Sequence, residues 1–372
     1  MKLLVITQRV DDDDDVLGFF HNWLEKLSRH LEELQVIALH AGTLRLPSNV
    51  VVHSLGKEKG DPKWRWGIRF YRRLFRLLPE VDGVFCHMCP EYVLALAPVN
   101  AIFRKPVVLW YAHVQVSPLA ARAVRRVDTV LTPSRESFTL PATNLAATGH
   151  GIDTHWFRPS GDASRKGPLR VLNVNRISRV KEVSTLVEAV SVLVNQKGFR
   201  DFRVRIVGGP ARPEDSRYLE ELRDRAREYG IEEHLEWVGP VRNKDTARFY
   251  QEADVFVRMQ PGGGYGKNEL EALSCGLPVV ICAPVYAPVF GRFAPSLIFR
   301  ERDPVDLAGK LLEVERWSLA DRDAYRQLAR DYVVQNHNLD TLARRIVDEF
   351  QKLVGGDETR ALAEARSGNA PR

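Results

Sequence analysis

Short runs of β-branched and aliphatic residues alternate along this chain with amphipathic stretches. KLLVITQ opens the first half, and a helically spaced segment follows from Phe19 to His30. LQVIALHA, VVVHSL, DGVFCHM, PVVLWYAH and TVLTPS come next. Such βα alternation predicts a parallel sheet covered by helices. Near residue 160 the stretch PSGDASRKGP is polar and rich in turn formers, so a linker is expected over 159–168. A second alternation follows, with strands at LRVLNVNRI, FRVRIVGG, LEWVGPV, VFVRM and LPVVICAP. Between the first two, Val183, Leu186, Val187, Val190, Leu193 and Val194 share one face at helical spacing and predict a helix. Further helical stretches run from Pro304 to Trp317 and from Leu319 to Val354, the second broken near Asn336 to Asn338. The expected organisation is a unit over 1–158, a second over 169–335, a C-terminal helix over 336–354 packing back toward the first, and a disordered tail over 355–372. Two α/β units facing each other across a cleft would bind ligands at the carboxyl ends of their strands. No solenoid-type repeat is visible.

Composition narrows the class. The 372 residues are 44% hydrophobic and 27% charged, which excludes disordered, collagenous and coiled-coil chains. Four cysteines are too few for a disulfide scaffold of this length, so a reducing compartment is expected. The opening MKLLVITQRVDDDDD has only four consecutive apolar residues before its acidic block, short of a signal-peptide core, and a cytoplasmic location is expected. The uncharged stretch from Ala272 to Gly291 contains Pro278, Pro284 and Pro288, so it reads as a buried strand with loops and not as a spanning helix. A net charge of +6 is compatible with an anionic partner without specifying one.

The most informative segment is PGGGYGKNELEALSCGLPVV, where a glycine cluster follows a strand and precedes a helix. Free backbone N–H groups at a helix start form an anion site for a phosphate or a sugar oxygen. With a helix beginning near Gly266, Lys267 and Glu271 fall at i and i+4, placing a cation for phosphate beside a carboxylate for a hydroxyl pair. The competing reading is a turn with a surface salt bridge. A Walker A loop is excluded, because Pro261 stands five before Gly266 and Asn268 follows Lys267 where Ser or Thr is required. In NVNRISRVKEVSTLVEAV, Arg176 and Lys181 flank a strand-to-helix crossing and are placed to neutralise a diphosphate leaving group; the alternative is two solvated charges.

Together these segments resemble the nucleotide-sugar-dependent retaining glycosyltransferases of family 4, with the GT-B fold of two Rossmann-like domains. The resemblance rests on Asn175-Arg176-Ile177-Ser178 with Lys181, Val207-Gly208-Gly209-Pro210, Trp237-Val238-Gly239, Ala253-Asp254-Val255, and the glycine loop running into Glu271-Ala272-Leu273-Ser274-Cys275-Gly276-Leu277-Pro278. A looser match covers Asp128 to Ser134 and Gly149 to Thr154 with Phe157 and Pro159, and His113 in WYAH sits where the family has a histidine near the donor sugar. The resemblance implies that the first domain binds the acceptor and the second the donor. Arg176 and Lys181 would hold the donor diphosphate, Glu271 the ribose hydroxyls, and the backbone of Gly264, Tyr265, Gly266 and Lys267 the sugar and its phosphate. It implies no cofactor and no metal, the nucleotide diphosphate sugar, UDP- or GDP-linked, being a co-substrate.

Two positions depart from the family pattern. Gly263 stands where a second glutamate, eight before Glu271, contacts the donor sugar. In the first loop, Asp11 to Asp15 replace a glycine-rich turn, leaving Gly18 for a close backbone approach to the diphosphate. The aspartates invite a metal, but consecutive carboxylates lack EF-hand spacing and read as solvated capping residues.

The remaining candidates carry less. Cys86-His87-Met88-Cys89 is formally CxxC, but it follows a strand and has no second pair, so it reads as core, with His87 and Glu91 as cleft-facing candidates. Residues 63–78, KWRWGIRFYRRLFRLL, carry six cations among five aromatics. They suit an amphipathic helix resting on an anionic membrane near a lipid-linked acceptor, at the inner face, and equally a sheet-packed helix with solvated arginines. No nucleic-acid module accompanies them. The expected function is transfer of a sugar with retention to a hydroxyl in glycan, glycolipid or envelope polysaccharide synthesis. The alternatives are a nucleotide-sugar epimerase or hydrolase of the same fold, and a degenerate sugar-nucleotide-binding or membrane-associated scaffold.

Overall fold

The computed structural model describes residues 1–112, 117–140, 142–160 and 167–367, with side chains of the last helix described to residue 355. The chain divides into two compact units, one built from Met1–Gly151 together with the residues from Leu339 onward, the other from Ile152–Asn338.

In the first unit seven strands form one parallel sheet: β1 (Lys2–Val10), β2 (Glu33–Ala41), β3 (Val50–Ser54), β4 (Gly83–His87), β5 (Val107–Trp110), β6 (Thr129–Thr132) and β7 (Leu145–Ala147), in the order β3-β2-β1-β4-β5-β6-β7. Central strands read as continuous apolar runs because helices cover both faces, and Leu3 to Ile6 are accordingly buried without interruption. The edge strand β3 is only partly covered. Helices α1 (Phe19–Ser28), α2 (Lys63–Leu77), α3 (Pro90–Phe103) and α4 (Pro118–Val124) supply the crossovers.

In the second unit β8 (Leu169–Val174), β9 (Phe202–Val207), β10 (Leu235–Gly239), β11 (Val255–Arg258) and β12 (Val279–Ile281) form a parallel sheet ordered β10-β9-β8-β11-β12. Its helices are α5 (Val183–Ser191), α6 (Pro213–Glu228), α7 (Ala247–Glu252), α8 (Lys267–Ser274), the single-turn α9 (Ala287–Phe290) and α10 (Ala294–Leu297), α11 (Pro304–Glu315) and α12 (Leu319–Asn336). The apolar face predicted from Val183 to Val194 is buried throughout, and α5 runs into a π-turn over Val192–Gln196 that keeps Leu193 and Val194 on that face. Ala272 to Gly291 holds β12 and its flanking turns, as its prolines require.

The last helix, α13 (Leu339–Ser367), belongs to the first unit and packs on α1. Its backbone stays helical beyond residue 355, where a disordered tail was expected; residues 368–372 lie outside the description, as do 161–166 of the expected linker. The boundary falls at Gly151, seven residues before the expected 158, because Ile152 is already tied to the second unit: its N–H donates to the His337 carbonyl at 2.7 Å.

Candidate functional site

In the second sheet the strand order reverses between β8 and β11, and loops leaving the carboxyl ends at such a reversal border a crevice. Asn173 binds β8 to β11 by donating from Nδ2 to the Val257 carbonyl at 2.8 Å. Asn268, in the first turn of α8, donates to the Val174 carbonyl at 2.5 Å and fixes that helix against the end of β8. Gly208, after β9, has φ of +124°, and a Cβ there would lie 2.0 Å from the Asn175 carbonyl oxygen, so only glycine permits this approach.

Cations converge on this crevice. Arg258 ends β11 buried, with Nε 2.5 Å from Oε1 of the equally buried Glu269. Its Nη2 donates to the Gly262 carbonyl at 3.3 Å, while Nη1 is buried with no hydrogen-bond partner among the described residues. Lys181, in the turn after β8, donates to Gln260 Oε1 at 2.6 Å. Burial, ahead of the nearby Arg258 and Arg176 charges and against the pull of Glu269, holds its ammonium below the ordinary lysine range. Arg176 is exposed and makes no ion pair among the described residues. Arg258 and Lys181 thus share one carboxylate, Glu269, and Arg176 adds a third positive charge close to Lys181, an arrangement suited to an incoming polyanion.

The glycine loop bends through Gly262 and Gly263, with φ of +60° and +84°. Gly264 continues it, partly buried. Tyr265 meets Tyr286 edge to face and lies tilted against Tyr332 and His337. The Gly266 N–H donates to the Tyr286 hydroxyl at 3.0 Å. Lys267 and Glu271 do share a helix face, but they do not present a separate cation and carboxylate. Lys267 Nζ closes on Glu271 Oε1 and on Asn243 Oδ1 at 3.1 Å. Glu271 is fully buried and also accepts from Asn243 Nδ2 at 3.0 Å and the Tyr250 hydroxyl at 3.2 Å. The pair is neither the surface salt bridge of the competing reading nor an open ribose acceptor. Access to Glu271 requires Lys267 and Asn243 to give way.

In the first unit, Gly18 admits no side chain because a Cβ would lie 2.4 Å from the Asp14 carbonyl oxygen; the close approach expected for a diphosphate is made by the chain itself. The aspartate run caps its own turn: Asp11 Oδ1 accepts from the Asp13 and Thr43 N–H groups, and Asp14 Oδ1 from Val16 and Leu17. Asp14 and Asp12 are paired with Arg9 and Arg45 and are largely covered, so the run is less solvated and less repulsive than expected. His113 lies outside the described residues. His87 is enclosed by Phe19, Phe20, Trp23 and Trp110, stacking on Phe20 at 3.9 Å. Burial, helped by His150, pushes its imidazole down to about 3, so it is a neutral core residue and not an open cleft-facing base. Glu91 is exposed and accepts from Gln8 Nε2 at 2.5 Å. Cys86 and Cys89 are buried free thiols whose ionisation burial pushes up, consistent with core. Among the described residues no group of three or more His, Cys, Asp or Glu is arranged to hold a metal ion.

Sequence reasoning missed Arg258, Gln260, Glu269 and Asn243. Arg258 left a usable signal: it is the one charge in the apolar strand VFVR, and a charge in a buried run needs a partner. Glu269, in the first turn after the glycine loop, was the natural candidate.

Comparison with known proteins adds family and fold. Residues 158–331 match the family model Glycosyl transferases group 1. A D-inositol 3-phosphate glycosyltransferase of Geodermatophilus obscurus is 32% identical over 176 residues, covering 44% of this chain and 38% of its own length. Mannosylfructose-phosphate synthase of Agrobacterium fabrum is 24% identical over 155 residues, covering 39% and 34%. The chain thus spans under two fifths of the length of these curated relatives. The crystal structure of Anabaena HepE in complex with UDP and glucose superposes with a TM-score of 0.75 at 16% identity, over 94% of this chain and 99% of HepE. The chain therefore has the two-domain GT-B fold, and its second unit carries a Glycosyl transferases group 1 domain.

Proposed function

We propose that this protein is a retaining glycosyltransferase that moves a sugar from a nucleotide diphosphate sugar to a hydroxyl acceptor in glycan, glycolipid or envelope polysaccharide synthesis. The observation that carries the reading is the convergence of Arg176, Lys181 and Arg258 on the strand-order reversal of a domain that matches Glycosyl transferases group 1, with Glu269 as the counter-charge to Lys181 and Arg258. Such an excess of positive charge stabilises the diphosphate as it departs. By the family resemblance the first unit binds the acceptor, and His113 is the candidate contact to the donor sugar. The backbone of Gly264 to Lys267 takes the sugar and its phosphate, and the ribose reaches Glu271 as Lys267 and Asn243 turn aside. Front-face attack balances the chemistry. The anomeric carbon–oxygen bond to the diphosphate breaks, the acceptor oxygen bonds to that carbon on the same face, and the hydroxyl proton passes to a leaving phosphate oxygen. HepE, whose structure contains UDP and glucose, favours a UDP-linked donor over a GDP-linked one.

Thermal unfolding with UDP, GDP, ADP and their sugar conjugates, each with and without chelator, tests this reading. A ligand selective for the native state raises the melting temperature as its concentration exceeds its Kd, by about 2.7 kcal/mol of stability at a hundredfold excess. One base should give a chelator-insensitive shift and then support transfer in an acceptor screen. Donor consumption without acceptor product would mark a hydrolase. Binding without any turnover would favour the scaffold reading, which Gly263 motivates. A complete lack of shift would remove the donor site.

A further inference from the structure

Outside the donor site, the most distinctive surface of the molecule lies on α2. Successive residues of a helix turn by about 100°, and α2 sorts by that rule into three stripes. Phe70, Leu74 and Leu77 are buried against the sheet. Trp64, Ile68, Tyr71 and Phe75 form a second stripe that faces water, 62%, 60%, 41% and 52% exposed. Arg65, Arg69, Arg72, Arg73 and Arg76 form the third, beside the second. Arg69, Arg72, Arg73 and Arg76 line a pocket of about 470 Å³ together with Lys59 and Ser54, the last residue of β3.

Apart from Arg69, the charges in that pocket are not compensated among the described residues. Asp61 accepts from Arg69 at 2.6 Å and Arg65 at 3.1 Å, and Glu58 is occupied by the Ser54 hydroxyl at 2.6 Å. Lys59, Arg72, Arg73 and Arg76 have no acidic partner among the described residues. Next to them, burial and, after it, the Arg73 and Arg76 charges hold the His53 imidazole below its ordinary range. A soluble anion accounts for the pocket alone. It leaves four large apolar side chains in water beside the arginines, on one contiguous stripe, with no role.

We propose that α2 docks flat on an anionic phospholipid bilayer, with Trp64, Ile68, Tyr71 and Phe75 entering the headgroup boundary and the Lys59–Arg72–Arg73–Arg76 pocket holding a lipid phosphate. Indole and phenol rings with arginines beside them match the two layers of that boundary, apolar below and phosphate above. The helix lies on the surface and does not span it: its opposite face is committed to the core, and among the described residues no helix is long and apolar enough to cross a membrane. The inference stands apart from the donor site, because nucleotide binding in the second unit is read separately.

Co-sedimentation of the full chain with phosphatidylcholine vesicles, with and without phosphatidylglycerol, tests it. Binding is expected only with the anionic lipid, weakening as salt is raised. Arg72→Ser/Arg73→Ser/Arg76→Ser should lower partitioning roughly hundredfold, about fivefold per charge. Trp64→Ser/Phe75→Ser should release the protein although every cation remains. All five side chains are at least partly exposed, and wild-type protein gives an independent readout: brominated acyl chains should quench its tryptophan fluorescence. Equal binding to neutral vesicles, or no binding to either, overturns the proposal. So does stabilisation by millimolar glycerol phosphate that Trp64→Ser/Phe75→Ser retains while vesicles fail to bind, since the pocket then serves a soluble phosphate ester.

Discussion

Lys181 is a lysine that the fold has taken partly out of water and aimed at one acceptor, Gln260, 2.6 Å away. The desolvation is tolerable because Glu269 is within electrostatic reach, and it prepares the ammonium for a polyanion that has to shed less water around it. A hydrogen bond to a charged group contributes about 1.5–3 kcal/mol. Lys181→Ala should therefore weaken nucleotide diphosphate binding about tenfold to a hundredfold and largely abolish transfer, with little change in melting temperature without ligand. Titration calorimetry and a transfer assay measure both, and wild-type turnover in the variant would remove the proposed clamp. The direction of the Lys181 shift fixes a pH dependence. Its charged form is lost at lower pH than an ordinary lysine's, so affinity should begin to fall on the acid side of 10.5, and Lys181→Arg should postpone that fall. Gly263 shows the opposite constraint. With φ of +84° and Arg258 Nη2 3.4 Å from where a Cβ would stand, a glutamate grafted there would pay backbone strain of about 1–2 kcal/mol and would compete with Glu269 for the same arginine.

At the scale of elements, β11 and α8 are joined by the Arg258–Glu269 pair as well as by the glycine loop between them. Removing one member of a buried ion pair costs about 3–5 kcal/mol because the other charge is left uncompensated, whereas replacing both with apolar groups is often close to neutral. Arg258→Met should thus lower the unfolding free energy by at most about 3–5 kcal/mol, since Lys181 still offsets part of the Glu269 charge, and Arg258→Met/Glu269→Leu should recover part of it, Lys181 then losing its nearby carboxylate, without recovering diphosphate binding. Urea titrations of both variants decide the point. Equal losses in the single and double variants would mean that the pair does not connect the two elements. This pair also marks how far the sequence could be read. Strands such as β1 and β2 were legible because parallel strands covered on both faces are nearly continuous apolar runs, β9 because its apolar residues alternate with Arg203 and Arg205, and the crevice followed from the glycine cluster after β11. The three residues of β7, Leu-Ala-Ala, were not, since they are short, partly exposed and held by pairing with β6. The closing of Lys267 and Asn243 over Glu271 was not legible either: an i, i+4 spacing gives the face but not the partner that a distant loop brings to it.

Across the whole molecule the chain leaves its first unit at Gly151 and returns at Leu339, and the two crossings are stitched side by side. Ile152 pairs with Asn338, whose Nδ2 donates to Thr154 Oγ1 at 2.8 Å. The return is structural. Leu339, Leu342, Ala343, Ile346, Val347 and Phe350 of α13 are buried in the core formed by α1 and the sheet, and a Cβ on Gly83 would lie 2.5 Å from the Phe350 ring. Polar contacts fix the helix in register: Lys26 with Asp340 at 2.8 Å, Thr129 Oγ1 donating to Glu349 at 2.7 Å, and Arg345 donating to the Thr148 carbonyl at 3.0 Å. Burying a large aliphatic or aromatic side chain contributes about 1.5–3 kcal/mol, so this face carries stabilisation comparable to the 5–15 kcal/mol net stability of a whole domain. A chain ending at Asn338 should therefore lose cooperative unfolding of the first unit, exposing Trp23 and Phe85 to solvent, while the second unit, which contains none of these contacts, should still unfold cooperatively and still be stabilised by the nucleotide that stabilises the full chain. Calorimetry of the two chains separates the alternatives. If the truncated protein kept the full unfolding enthalpy, α13 would be an appendage of the first core and not a part of it; if it lost the nucleotide response as well, the second unit would depend on a helix that it does not contain.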